Sequence, residues 1–426
     1  MTGSRSLRVR GPRAALLAVA LSAALTGLAA SPATAFAAPV GAAEIDIKYD
    51  EFTLPNGLRV IVHTDRKAPI VAVNLWYHVG SKNEQPGRTG FAHLFEHLMF
   101  QGSENHDAEY FAPFELVGVT DQNGTTNQDR TNYFQNVPTT ALDMALWMES
   151  DRMGHLLGAI NQKSLDEQRG VVQNEKRQGE NQPYGRRINA KIFEALYPAG
   201  HPYNWQVIGS MADLDAATLD DVKTWFKSWY GPNSAVLVLS GDIDVKTAKE
   251  KVTRYFGDIP ASATLADMPT NIPKRDKDTR ETVPDRVPQT RVYRAWPVAE
   301  IGTSDAVLLD LFSQVLGGSA ASRFDMRLVH GDKIADNAAA YTWSSELAGT
   351  FFLMATAKDG VDAAKIEKAM DEELQRLLAE GPTAEELERA KVATRAGFVR
   401  GIERIGGFGG QADVPAQRVV YPGKPE

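Results

Sequence analysis

Five residues, His93-Leu94-Phe95-Glu96-His97, constrain the fold more than any other stretch, because they interrupt an otherwise largely apolar run from Gly90 to Phe100. The run reads as an amphipathic helix, with Thr89 as its expected cap and Gly102 as its expected stop. On a helix, positions 93 and 97 are i and i+4, and position 96 lies three residues beyond the first histidine. Both imidazoles and the carboxylate therefore project from one face. A helix this apolar should not bury such groups without compensation, and a metal ion supplies it. Two histidines so placed can share one tetrahedral zinc, and a neighbouring carboxylate can take the proton of a water attacking a carbonyl. The order is the inverse of His-Glu-x-x-His and falls among the zinc-peptidase signatures.

A catalytic zinc usually takes three protein ligands, so one more must come from elsewhere. The best source is the polar segment Ser164 to Arg177, which opens with Ser164-x-x-Glu167 and predicts a one-sided helix. Spacing alone leaves Glu167, Glu175 and Glu180 as competitors, since most acids on such a helix are simply solvated.

Four stretches together resemble the insulinase/pitrilysin family of zinc metallopeptidases, in particular bacterial relatives of mitochondrial processing peptidase. They are Leu54 to Val60, Gly90 to Gly102, Arg169-Gly170-Val171-Val172-Gln173-Asn174-Glu175-Lys176-Arg177, and His201-Pro202-Tyr203. The resemblance implies that His93, His97 and Glu175 bind one zinc ion and that Glu96 is the general base. It also implies that Asp121 to Asn127, with Asn123, Gly124 and Thr125 at its centre, offers a strand edge to a peptide substrate. By composition that polar stretch is a loop. Family members, or their companion subunits, carry an arginine and a tyrosine in the second half that hold substrate. The matching positions here are Val329 and Asp336, which cannot do so. Nearby Arg323 and Arg327 read as packing residues. These departures point to a companion subunit of the same family, or to a homodimer, as the source of the missing groups. They also keep a second reading open, a non-catalytic or partner-dependent subunit.

Residues 1–37 read as a secretory signal peptide: Arg5, Arg8, Arg10 and Arg13 precede an Ala/Leu run from Ala14 to Ala30, with small-residue cleavage sites at Ala33-Thr34-Ala35 and Ala35-Phe36-Ala37. The run is short and Ala-rich for a membrane anchor, so a secreted, extracellular protein with no stable membrane span is expected. Removing the leader takes away four arginines and no acid, moving the formal net charge from -8 to -12. Such a surface argues against nucleic acid. The chain has no cysteine, which excludes disulfides and leaves stability to its cores.

With 426 residues, 43% of them hydrophobic, the chain can support two cores. The expected class is α+β: two related domains, each a mainly antiparallel sheet with helices packed on it. Residues 45–258 form the N-terminal zinc-binding domain and 259–289, rich in proline, the linker. Residues 290–426 form a related C-terminal domain without metal, short of its closing elements. It begins like the first, with a strand near Arg291 to Trp296 and an apolar helix from Ser304 to Leu316, but that helix carries no histidine.

Overall fold

The computed structural model describes residues 47–263 and 268–421, so the expected signal peptide lies outside the described residues. Strands β1 (Asp50–Thr53) and β2 (Arg59–Thr64) form an antiparallel hairpin about Asn56-Gly57. Gly57 turns at φ 94°, and a Cβ there would come within 2.7 Å of the Asn233 side chain. Strand β3 (Ile70–Tyr77) leads to helix α1 (Phe91–Leu98) and a short α2 (Ala112–Leu116). Strands β4 (Asp121–Thr126) and β5 (Thr131–Pro138) form a second hairpin. Helices α3 (Leu142–His155), α4 (Gln162–Asn181), α5 (Arg186–Leu196), α6 (Met211–Asp215) and α7 (Leu219–Trp229) follow, then β6 (Ala235–Gly241) and α8 (Val245–Phe256).

These strands make one sheet in the order β1-β2-β6-β3-β5-β4, antiparallel except where β2 meets β6. Side chains alternate across it. Val71, Val73, Leu75 and Tyr77 of β3 join the main core with residues of α1, α3, α7 and α8, while Ala72 and Trp76 belong to a separate cluster on the other face. Strand β6 is buried along its whole length, the pattern of a strand covered on both faces.

The second half contains β7 (Arg291–Val298), α9 (Ser304–Gly317), a π-helical turn at Asp325–Gly331, β8 (Ala335–Trp343), β9 (Gly349–Ala357), α10 (Ala363–Glu380), α11 (Ala384–Ile402) and α12 (Asp413–Val420). Its sheet runs β7-β9-β8, repeating the order β3-β5-β4 of the first half, and among the described residues holds three strands where the first holds six. Thr383 caps α11 with Glu386 returning the bond, a reciprocal capping box. Each half lends the other a helix. Phe193, Leu196 and Tyr197 from the α5 region pack with Leu347, Ala348 and Phe352 of the second sheet. In return Ala416, Val419 and Val420 of α12 cover Ile61, Ala72, Trp76, Val236 and Val238 on the first. The second half is therefore closed onto the first by exchange. Among the described residues no helix is long and apolar enough to cross a membrane.

Candidate metal centre

Helix α1 buries Phe91, Ala92, Leu94, Phe95 and Leu98 in the main core, which turns the 93, 96 and 97 positions to the opposite side. The rings of His93 and His97 stand 4.8 Å apart at 82°. Glu175, more than three turns into α4, brings one carboxylate oxygen to each: Oε2 lies 3.7 Å from His93 Nε2, and Oε1 lies 3.7 Å from His97 Nε2. One ligand atom from each of the three residues lies within 4.8 Å of the others. Tetrahedral zinc with bonds of ~2.0–2.2 Å sets its ligand atoms ~3.3–3.6 Å apart, so the donor set fits that ion with small side-chain adjustments and leaves a fourth position open. The competing acids are engaged elsewhere, Glu167 with Lys163 and Glu180 with Lys176.

Glu96 is 8% exposed, and its Oε2 is buried without a hydrogen-bond partner. Burial pushes its carboxyl up to about 7, tempered by the Thr126 hydroxyl and the Arg130 charge. The imidazoles move the other way. Burial takes His93 down to about 3, with His97 and Arg186 adding to the shift, and burial also lowers His97 against the pull of Glu175. The cluster thus presents neutral imidazoles beside a carboxylate that is easily protonated.

The ends of both helices differ from the sequence expectation. Thr89 does not cap α1; its backbone N–H and hydroxyl both donate to Asp213. Gly90, at φ 90°, starts the helix, and the Glu84 carboxylate caps it from a distance by accepting the N–H groups of Gly90 (3.1 Å) and Ala92 (2.9 Å). The helix stops at Leu98, short of Gly102. Helix α4 starts at Gln162 with Asn161 as its cap, and Ser164 is the returning partner in that box rather than its opener.

Glu84 is a functional residue that spacing rules miss, because a cap six residues upstream follows no helical repeat. Burial pushes its carboxyl up to about 8 against three donors, the third being the Trp205 indole N–H at 2.9 Å. Glu84→Ala is expected to cost ~1–3 kcal/mol in denaturant unfolding by orphaning buried donors at the start of the histidine helix. Unfolding at the wild-type midpoint would show that the carboxylate does not hold the helix.

Asp121 to Thr126 is a strand, against the loop that its composition suggests. Among the described residues it pairs with β5 alone and forms the edge of the sheet. Gly124 is required there, since a Cβ would meet the Phe100 ring at 2.6 Å. Asn123 is exposed, and Thr125 donates to Asn132 Oδ1 at 2.6 Å. In the second half, Val329 packs on the second core and Asp336 accepts from Gln289. Arg323 holds Glu386 through two bonds of 2.8 Å, and Arg327 reaches Glu372, Glu373 and Asp332. Both guanidiniums serve packing within the second half.

Comparison with known proteins gives two family matches: the insulinase description (peptidase family M16) over residues 59–201, and the M16 peptidase inactive domain over residues 216–393. The first contains His93, Glu96, His97 and Glu175; the second contains Val329 and Asp336. A curated relative, the zinc protease PqqE of Helicobacter pylori, is 29% identical over 364 residues, 84% of this chain and 80% of that protein. A crystal structure of a protease from Helicobacter pylori is similar at a TM-score of 0.80 and 28% identity, covering 88% of this chain and 90% of that one. The periplasmic protease PqqL of Escherichia coli shares the fold at a TM-score of 0.66 and 22% identity, over 88% of this chain and 42% of that one.

Proposed function

The chain belongs to the insulinase (M16) family of peptidases, one of the family's domain types matching residues 59–201 and the other residues 216–393, and we propose that it is a secreted zinc-dependent endopeptidase acting on short or unfolded peptides. The observation that carries this reading is the meeting of His93, His97 and Glu175 beside Glu96. Zinc held by those three residues would supply Lewis-acid polarisation of a peptide carbonyl and acidify a water. Glu96 accepts that water's proton at its carboxylate as the C–O bond forms, then returns it to the amine nitrogen as the C–N bond breaks. The outer edge of β4 at Asn123, Gly124 and Thr125, where the Gly124 N–H donates to the Asn123 side chain at 2.9 Å, receives the substrate backbone as an added strand in that side chain's place, which gives affinity with modest sequence preference.

Export through residues 1–37 accords with the periplasmic description of PqqL. The residues at Val329 and Asp336 favour a partner-dependent variant of the same activity, in which a companion subunit or a second copy supplies the substrate-holding groups. Cleavage of a mixed set of unstructured peptides tests the reading. Zinc-loaded protein should cleave, chelator-treated protein should not, and added zinc should restore cleavage. Failure of the loaded chain to cleave any peptide would overturn it as a stand-alone activity.

The lowered histidines make metal binding tolerant of acid. An imidazole of ordinary pKa ~6.5 would lose about 30-fold in metal affinity at about pH 5 to proton competition. His93, held to about 3, should lose almost none. With His97 lowered as well, zinc affinity by chelator competition should fall by less than about 30-fold from neutral pH to about pH 5, and a larger fall would contradict the shifts. The metal-free protein should behave oppositely in stability. Its unfolded state takes up a proton at His93 near pH ~6.5 while the folded state resists, so this contribution is complete above that value and erodes as pH falls.

A further inference from the structure

A buried ion cluster joins the two halves of the chain. Lys82 lies in the short 3-10 turn Ser81–Asn83 ahead of α1, Asp129 in the turn between β4 and β5, and Glu346 in the turn between β8 and β9. Their side chains are 3%, 2% and 16% exposed. Lys82 Nζ bonds to Glu346 Oε2 and stands 3.8 Å from Asp129 Oδ1, and His78 closes the cluster with its Nε2 2.7 Å from the same Glu346 oxygen. Asp129 is the hub. One of its oxygens accepts the Tyr203 hydroxyl and the other the Glu346 N–H at 3.0 Å, while the Tyr203 oxygen accepts the Leu347 N–H at 2.9 Å. Charges taken out of water contribute little net stability even when paired, because desolvation offsets their attraction; what such a cluster can supply is a single preferred arrangement. The contact of Phe193, Leu196 and Tyr197 with Leu347 and Phe352 is apolar and non-directional, so it holds the halves together without aligning them. The bonds at Asp129 align them.

What they align is the end of β4. Asp129 lies three residues beyond Thr126, the last residue of that strand, whose hydroxyl bears on Glu96. The intervening turn is stiff. Asn127 Oδ1 accepts the N–H groups of Asp129 and Arg130 at 2.8 and 2.9 Å, and the turn's carbonyls accept from the approach to α1, Asn127 from Ser81 N–H at 3.2 Å and Gln128 from Lys82 N–H at 2.8 Å. The metal helix and the strand depend on this brace to different degrees. Helix α1 is anchored independently, with Phe91, Leu94, Phe95 and Leu98 in the main core. Strand β4 pairs with β5 alone among the described residues, and Gly124 is its one buried residue. Loss of the clasp should therefore loosen β4 first and leave the zinc ligands in place.

We propose that Asp129 and Glu346 form a clasp through which the second half positions the edge strand β4 for peptide binding. Both are positioning residues, and neither is among the side chains that converge on the metal site. The second half acts on the site by bracing the strand, while Val329 and Asp336 stay engaged within their own half. The effect on cleavage rests on the peptidase reading above; the effect on the strand does not. Coupling of this kind is reciprocal, so a peptide seated on β4 also steadies the turn between β8 and β9.

The test compares zinc-loaded full-length chain with Asp129→Asn, Glu346→Gln and the double variant, by native-state hydrogen exchange and by cleavage of unstructured peptides. In each variant, exchange over residues 121–127 should quicken by about tenfold, the equivalent of one charge-assisted hydrogen bond, while α1 and the opposite edge strand β1 exchange as in wild type. KM should rise by about tenfold, with kcat and zinc affinity within about twofold of wild type. The double variant should be no worse than the more affected single one, because both act through one clasp. Glu346→Gln, at the more exposed end of the cluster, carries the test if Asp129→Asn folds poorly. Unchanged exchange over 121–127, or faster exchange spread equally over α1 and β1, overturns the clasp, as does additivity in the double variant or a loss confined to kcat or zinc. Faster local exchange in the variants of a chain that cleaves no peptide as wild type would uphold the clasp and overturn the peptidase reading.

Discussion

Replacing Glu96 with Gln is expected to lower kcat/KM for peptide cleavage by about 10²–10⁴-fold while the protein still binds zinc. The substitution keeps the size of the side chain and removes only its ability to take a proton. Its carboxylate is not among the three donors that converge, so metal content should not change. Its burial explains the expected size of the effect. A carboxyl pushed up to about 7 accepts a proton far more readily than an exposed one, and a base working near neutral pH performs best with a matching pKa. The control is Glu175→Gln, which should lose activity together with zinc. Retention of more than a tenth of wild-type activity in zinc-replete Glu96→Gln would mean that another group takes the proton.

Local periodicity made this arrangement partly legible in the amino-acid sequence. The i, i+3, i+4 spacing of His93, Glu96 and His97 requires one helical face, and α1 supplies it. Glu175 was a different case, because 78 residues separate it from His97 and no repeat links the two helices. Spacing left three acids equal, and only the packing of α4 across α1 makes one of them the neighbour of both imidazoles. The same reason hid Glu84, which caps the histidine helix, and Thr126, which bears on Glu96, since both act through tertiary contacts. Strand β4 misled by composition: a polar edge strand over an aromatic ring has the residues of a loop. The exchange of α5 and α12 was invisible too, since an amphipathic helix announces that it has an apolar face but not which sheet it will cover.

Arg152→Ala is the substitution expected to cost the most stability, about 3–5 kcal/mol. Its side chain is 2% exposed and that of its partner Glu149 is 0% exposed. The guanidinium donates to both carboxylate oxygens, at 2.9 and 2.6 Å. It also lies over the rings of Tyr110 and Tyr133 at 3.9 and 4.1 Å. Truncation leaves Glu149 charged and buried with Gln135 as its remaining side-chain donor, and removes the cation from between two rings. Urea unfolding measures the loss, and a change below ~1 kcal/mol would show that water or rearrangement compensates. The double variant Glu149→Leu/Arg152→Met separates charge from packing. It removes both ions at similar volume and should recover part of the stability, because a buried pair is costly to break and inexpensive to omit, less the ~1–3 kcal/mol for the buried Gln135 amide left without Glu149. Function should not recover equally. Arg152 also lies 5.8 Å from the Phe100 ring, which sits under Gly124 of the edge strand, and Tyr133 opposite Gly124 is one of its ring partners. A fully apolar replacement should keep the fold while loosening β4 against α1, so the double variant is expected to unfold at a midpoint above that of Arg152→Ala yet show a raised KM. Wild-type KM in that variant would confine the pair to folding and free the edge strand from it.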